Sequence, residues 1–238
     1  MADIRSLLRN WLSPGTTTRW IVAGFYRNPF CFMLTLLRSL WATRKLVGYF
    51  TPLKVRLGVG QKLSIKRNRK TKVVLEGVLS ITSWGGSRLD SSISLAEGSS
   101  LKILGNFTIG PGVHISVSKH AHLKIRGQAA STGSGITCDS RIMAKSLIEI
   151  GADCIIAWDV FISDSDWHEI DGEASCAPIF IGDNVWIAHG ASILKGAQVP
   201  SGCIIGAKSL VGRGEFQENS LIAGVPASVK RTGVEWAR

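Results

Sequence analysis

The feature that most constrains this chain is a step of six residues. Ile150, Ile156 and Ile162 are followed, after a detour, by Ile181, Ile187, Ile193, Val199, Ile205 and Val211. Four places beyond these stand Cys154, Val160, Val185, Ala191, Ala197, Cys203 and Ser209, so a column of small residues runs beside the aliphatic one. Six matches neither a helix, with about 3.6 residues per turn, nor a lone strand. It matches short strands and turns stacked as the faces of a parallel β-helix, each coil burying its aliphatic column against the next.

Two residues break both columns together. Asp166 falls at a small-residue position, and His168 stands where the next aliphatic is due. A carboxylate and an imidazole in a core register cost free energy unless paired or exposed at a site, and such violations are expected where function requires them. The segment Ile162–His168 is therefore the candidate site. The alternative is that the ladder ends at Trp167 and that Asp166 and His168 begin a polar loop.

A length of 238 residues suits one sizeable domain with a small appendage. The five cysteines (Cys31, Cys138, Cys154, Cys176, Cys203) are odd in number and form no CxxC, which points to reduced core residues of a cytosolic protein and to no metal. The net charge of +11 is unevenly spread. Residues 1–72 carry fifteen Lys/Arg against Asp3 alone, whereas residues 73–238 carry thirteen against sixteen acids. The basic region also holds Trp11, Trp20, Phe25, Tyr26, Phe30, Phe32, Trp41, Tyr49 and Phe50, and its apolar run from Phe30 to Leu37 is too short to span a bilayer. Two readings stand side by side: peripheral contact of residues 1–72 with an anionic membrane, or a helical cap on the end of the β-helix with solvated charges. The cluster from Lys66 to Lys72 lacks a recognisable nucleic-acid module, so no nucleic acid is expected.

The division expected is a basic, aromatic-rich, helical segment over 1–52, broken at Pro14-Gly15 and Asn28-Pro29; a β-helix over 53–232; and a tail over 233–238. Within the β-helix, coils are irregular over 53–135, where the step slips near 121–135. Regular hexapeptides run over 136–212.

The run from Ile181 to Ala197 (IGDNVWIAHGASILKGA), with Ile205-Gly-Ala-Lys-Ser-Leu-Val and Ile222-Ala-Gly-Val-Pro-Ala-Ser-Val-Lys-Arg, resembles the hexapeptide-repeat acyltransferases. It is most similar to bacterial surface-polysaccharide O-acetyltransferases. The resemblance covers about residues 136–232, 73–135 loosely and 1–72 not at all. It implies a mainly β fold, the left-handed parallel β-helix; a homotrimer with sites between subunits; and acetyl-CoA as donor.

It also implies roles. His168 matches the catalytic histidine, and a neutral imidazole suits proton removal from a hydroxyl near neutral pH. Asp166, and after it Asp164, are candidates to orient that ring, since alternation puts 164, 166 and 168 on one side of an extended segment. Glu169 and Asp171, in the excursion that follows, are candidates to meet the acceptor's hydroxyls, with a solvated loop as the plain alternative. For the donor, Trp186, Ala188, His189, Gly206, Ala207, Arg213, Lys230 and Arg231 match family positions along the pantetheine arm and phosphates. His189 is bulkier than usual there. Ser228 stands where a cation is expected after Pro226-Ala227, unless Lys230 substitutes.

The expected activity is acetyl transfer from acetyl-CoA to a sugar hydroxyl of a lipid- or nucleotide-linked surface-glycan precursor, at the cytoplasmic face of the membrane. N-acetylation of an amino sugar shares fold, donor and base. A non-enzymatic membrane scaffold is the other alternative. A trimeric zinc carbonic anhydrase would need three histidines about one metal, and His114, His120 and His122 lie far in sequence from His168 and His189.

Overall fold

The computed structural model describes residues 28–49, 51–83, 87–129 and 133–237. The helical segment expected around Trp11 and Trp20, with its break at Pro14-Gly15, lies outside the described residues.

Short parallel strands stack into three sheets that form the faces of a prism. The first face begins with Val55–Leu57 and Leu79–Ile81, the second with Leu63–Arg67 and Ser91–Leu95, the third with Lys72–Leu75 and Ser100–Ile103. The six-step becomes three interior columns. Ile109, Ile136, Ile156, Ile187, Ile205 and Ile222 pair in register up the first face. Ile115, Ile142, Ile162, Ile193 and Val211 follow the second, and Ile103, Ile125, Ile150, Ile181 and Val199 the third. All are buried, and each isoleucine withdrawn from water contributes roughly 1.5–3 kcal/mol.

The corners explain the small column. Asn184, Gly190, Gly196, Gly202 and Lys208 have φ of 52°, 68°, 76°, 71° and 56°. Each immediately precedes one of the buried residues Val185, Ala191, Ala197, Cys203 and Ser209. A left-handed residue turns the chain through each corner, so Gly and Asn are favoured there and Lys208 is the exception.

Helix α1, Pro29–Val47, closes the N-terminal end. Asn28 caps it by accepting from Cys31 N–H at 3.0 Å, proline occupies its first turn, and Gly48 ends it at φ 95°. The first-face strand Val55–Leu57 has no earlier coil to pair with. Its Val55 N–H donates to Thr43 Oγ1 at 2.9 Å and its Leu57 N–H to Ser39 Oγ at 3.0 Å. Helix hydroxyls thus satisfy a sheet edge that would otherwise be buried unpaired. At the other end the strand Ala227–Arg231 folds back antiparallel on Leu221–Gly224.

Candidate active site

The register break is an extrusion of the chain. After Phe161–Ser163 on the second face the chain leaves the prism and returns for Ile179–Ile181 on the third. Ile179 pairs with Ile148 and Ile181 with Ile150, so these two fill the core places that residue counting assigned to Asp166 and His168. Neither polar residue enters the core. The interior keeps its aliphatic column because the fifteen residues between Ser163 and Ile179, 164–178, leave the ladder at one edge.

That loop is a small hairpin. Ser165 bridges Cys176, Asp166 N–H donates to Ser175 O at 2.9 Å, Ala177 N–H donates to Asp164 O at 3.0 Å, and Ile170 bridges Glu173 at the tip. Asp171 and Gly172 turn the tip with φ of 52° and 78°. Its root is fixed by two carboxylates. Asp164 is fully buried and accepts the N–H groups of Lys145 and Ser146 at 2.7 and 2.8 Å, joining the loop to the preceding coil. Asp166 Oδ2 lies 2.6 Å from Lys195 Nζ, and the same ammonium donates to Ala174 O at 3.1 Å. Lys195, on the following coil, therefore ties both arms of the hairpin together.

His168 is exposed beyond this clamp, and among the described residues its ring has no hydrogen-bond partner. Neither Asp166 nor Asp164, the first and second candidates to orient the imidazole, contacts it within one chain. The backbone turns left-handed at Trp167, φ 66°, which breaks the alternation, and both carboxylates are engaged elsewhere. Trp167 lies under Lys145 Nζ, 5.2 Å from its ring centroid, and its N–H donates to Ser165 Oγ at 2.9 Å. Glu169 and Asp171 are exposed near the tip.

The expected donor residues gather mainly at another edge. Trp186 points outward from the first face, and Trp236 packs on it at 6.1 Å while donating its indole N–H to Asn184 O at 3.0 Å. Ala188 and His189 turn the corner from the first to the second face, and the His189 ring stacks on Trp158 at 5.3 Å. Gly206 and Ala207 make the same corner one coil on, where Lys208 N–H donates to His189 O at 2.9 Å. A side chain at Gly206 would crowd Ala223 Cβ at 2.7 Å, so close packing requires glycine there. Lys230 and Arg231 are exposed on the terminal strand of the first face, and Lys230 Nζ donates to Ser228 Oγ at 2.9 Å.

Arg213 is the outlier. Its guanidinium lies over Gly196, beside the loop's return at Ala177, at the His168 edge. The two groups flank the second face. Sequence reasoning missed Lys195, Trp158 and Trp236. Lys195 follows Leu194 in an ordinary-looking turn, and only its position in a corner of the next coil brings it to Asp166.

Elsewhere, His114 Nδ1 and His122 Nδ1 lie 2.8 Å from the hydroxyls of Ser92 and Ser100, on the early coils of the second and third faces. Burial pushes the Cys154 thiol up to about 12 and the Cys138 thiol to about 11, and raises Cys203 as well.

A family model for the bacterial transferase hexapeptide, in six repeats, matches residues 178–213. The chain is 33% identical over 156 residues to the putative lipopolysaccharide biosynthesis O-acetyl transferase WbbJ of Escherichia coli, covering 60% of this chain and 72% of that protein. The chain belongs to the hexapeptide-repeat acetyltransferases. This hexapeptide protein is accordingly an acyltransferase built on a left-handed parallel β-helix. It is also 30% identical over 131 residues to the galactoside O-acetyltransferase of Escherichia coli, covering 53% of this chain and 61% of that one. A crystal structure of the polysialic acid O-acetyltransferase OatWY is similar at a TM-score of 0.42 and 22% identity, over 74% of this chain and 88% of that one.

Proposed function

We propose that this hexapeptide acetyltransferase moves the acetyl group of acetyl-CoA to a sugar hydroxyl of a surface-polysaccharide or glycolipid precursor, with His168 as general base. The observation that carries the reading is the exposed imidazole of His168, which has no hydrogen-bond partner among the described residues and stands on a hairpin fixed at its root by Asp164 and Lys195. A base must be free to meet the hydroxyl proton yet held in place to meet it at the right point.

In the reaction the acceptor oxygen attacks the thioester carbonyl as Nε2 or Nδ1 of His168 takes its proton. The tetrahedral adduct collapses with cleavage of the C–S bond, and the imidazolium returns the proton to the departing thiolate. Asp166 serves this step as a positioning residue through Lys195. Glu169 and Asp171, exposed beside His168, are placed to accept hydrogen bonds from the acceptor's other hydroxyls.

The donor lies along Trp186, Ala188, His189, Gly206 and Ala207. Since that edge and the His168 hairpin flank the second face, a homotrimer that sets one copy's hairpin against another's donor edge would complete each site. Arg213, at the hairpin edge, would then meet a donor held mainly by the neighbouring copy. Lys230 brings its ammonium to Ser228, the position where a cation was expected, and with Arg231 forms the phosphate grip. The reaction takes place at the cytoplasmic face of the membrane, where precursors are carried on lipid or nucleotide.

The test is incubation of the full chain with acetyl-CoA and a panel of free, nucleotide-linked and lipid-linked sugars, following CoA release and the product's mass. One acetyl group lost on mild base treatment identifies an ester; a base-stable product identifies an amide and overturns O-transfer. His168→Ala should lower kcat by roughly 100- to 10,000-fold. Near-wild-type turnover would remove His168 as the base.

A further inference from the structure

Helix α1 is apolar on both sides: it buries Phe32, Ala42, Leu46 and Val47 against the first coil and presents a second apolar stripe outward. A surface helix normally turns its apolar stripe inward. Here the inward side includes Thr35, Ser39 and Thr43, whose hydroxyls bond to the carbonyls four residues back at 2.7–2.8 Å, with two of them also closing the sheet edge. Phe30, Met33, Leu34, Leu37 and Trp41 recur at helical spacing on the outward side, from 46% exposed at Leu34 to 73% at Phe30. A continuous exposed stripe of this kind marks an interaction surface.

Charge selects the occupant. Residues 28–72 contain eleven Lys/Arg and no acid. On α1 itself Arg38, Arg44 and Lys45 are exposed beside the stripe, and Lys45 Nζ stands 4.5 Å from the Trp41 ring centroid. A cavity of about 530 Å³ opens beside Leu37 and Trp41, lined also by Leu57, Leu63, Arg38, Lys62 and one acid, Asp90, whose carboxylate lies 3.8 Å from Lys62 Nζ. A second copy on this surface would set one basic region against another. Residues 1–27 carry Arg5, Arg9, Arg19 and Arg27 against Asp3, so they repel it too. An apolar strip bordered by cations and a tryptophan instead matches a bilayer with anionic head groups, which offers negative charge above an apolar interior.

We propose that the outward side of α1, with the basic first coil, docks on an anionic lipid bilayer. Among the described residues no helix is long and apolar enough to cross a membrane. Because α1 lies across the first coil and the His168 hairpin leaves the fifth, docking would hold the hairpin roughly 30 Å from the bilayer, from four steps of about 4.8 Å plus a helix about 10 Å thick. The docking does not depend on the proposed reaction.

The test is flotation of the full chain with vesicles of phosphatidylcholine alone or with phosphatidylglycerol added, at low and high salt, beside the variant Leu34→Gln/Leu37→Gln/Trp41→Gln. The variant keeps every charge and changes only exposed side chains. The expected result is binding to the anionic vesicles only, weakened by salt, and reduced roughly tenfold or more in the variant with its melting temperature and assembly size unchanged. Failure of the wild type to prefer anionic vesicles, or equal binding by the variant, overturns the proposal. A lower melting temperature or smaller assembly in the variant also overturns it, because the stripe would then be covered by the protein itself.

Discussion

The Nζ of Lys195 lies 2.6 Å from Oδ2 of Asp166, with both side chains about three-quarters withdrawn from solvent, and it also holds the Ala174 carbonyl across the hairpin. One cation from the next coil therefore fixes the spacing of the two arms between which Trp167 and His168 are displayed.

Lys195→Met should loosen the hairpin and lower kcat by roughly 10- to 100-fold, the usual cost of misplacing a catalytic group by about an ångström. The KM for acetyl-CoA should change little. Lys195→Arg should recover part of the loss, and Asp166→Asn/Lys195→Met should be little worse than either single change, because both remove one clamp. Additive losses in that cycle would show that the pair does not act as a unit.

Asp164 is structural in this geometry. Asp164→Ala leaves the half-buried N–H groups of Lys145 and Ser146 without their acceptor, at about 1–3 kcal/mol for the two together. Thermal unfolding should shift down by roughly 5 °C or more, with Asp164→Asn intermediate. An unchanged melting temperature would contradict the anchoring role.

The donor grip is tested at the terminal strand. Arg231→Ala and Lys230→Ala should each raise the KM for acetyl-CoA while leaving kcat nearly unchanged, the pattern of lost ground-state binding. Ser228→Lys in the Lys230→Ala background should restore the KM, since it returns a cation to the same place. Equal losses in kcat and kcat/KM would assign these residues to the chemical step instead.

The thiols give a prediction free of the catalytic argument. Cys138, Cys154 and Cys203 are buried, and their raised pKa leaves almost no thiolate near neutral pH. At pH 8 a disulfide reagent should titrate only Cys31 and Cys176 quickly, and all five cysteines after denaturation. Between pH 9.0 and about 12 the unfolded chain releases a proton that folded Cys154 retains, so stability should fall as pH rises through that window.

The sequence by itself determined the coil. A step of six, with aliphatics at one place and small residues at another, admits a stack of three-faced coils, and Ile187, Ile193 and Val199 fall on three successive faces as that step requires. The left-handed corners at Asn184 and Gly190 emerged only with the structure, although such corners restrict residue type locally. The position of the hairpin that carries the candidate site was marked in the sequence too, since the step is interrupted after Ile162. What occupies the interrupted register was decided only by the tertiary structure. Counting put Asp166 and His168 in the core, whereas burying an aliphatic is favourable and burying either of them is costly, so Ile179 and Ile181 took those places and the fifteen residues between the strands formed the hairpin. Lys195 likewise joins Asp166 only across coils. The outward stripe of α1 was the hardest to foresee, because both sides of that helix carry apolar residues, and only the docking of Ser39 and Thr43 on a sheet edge settled which side faces out.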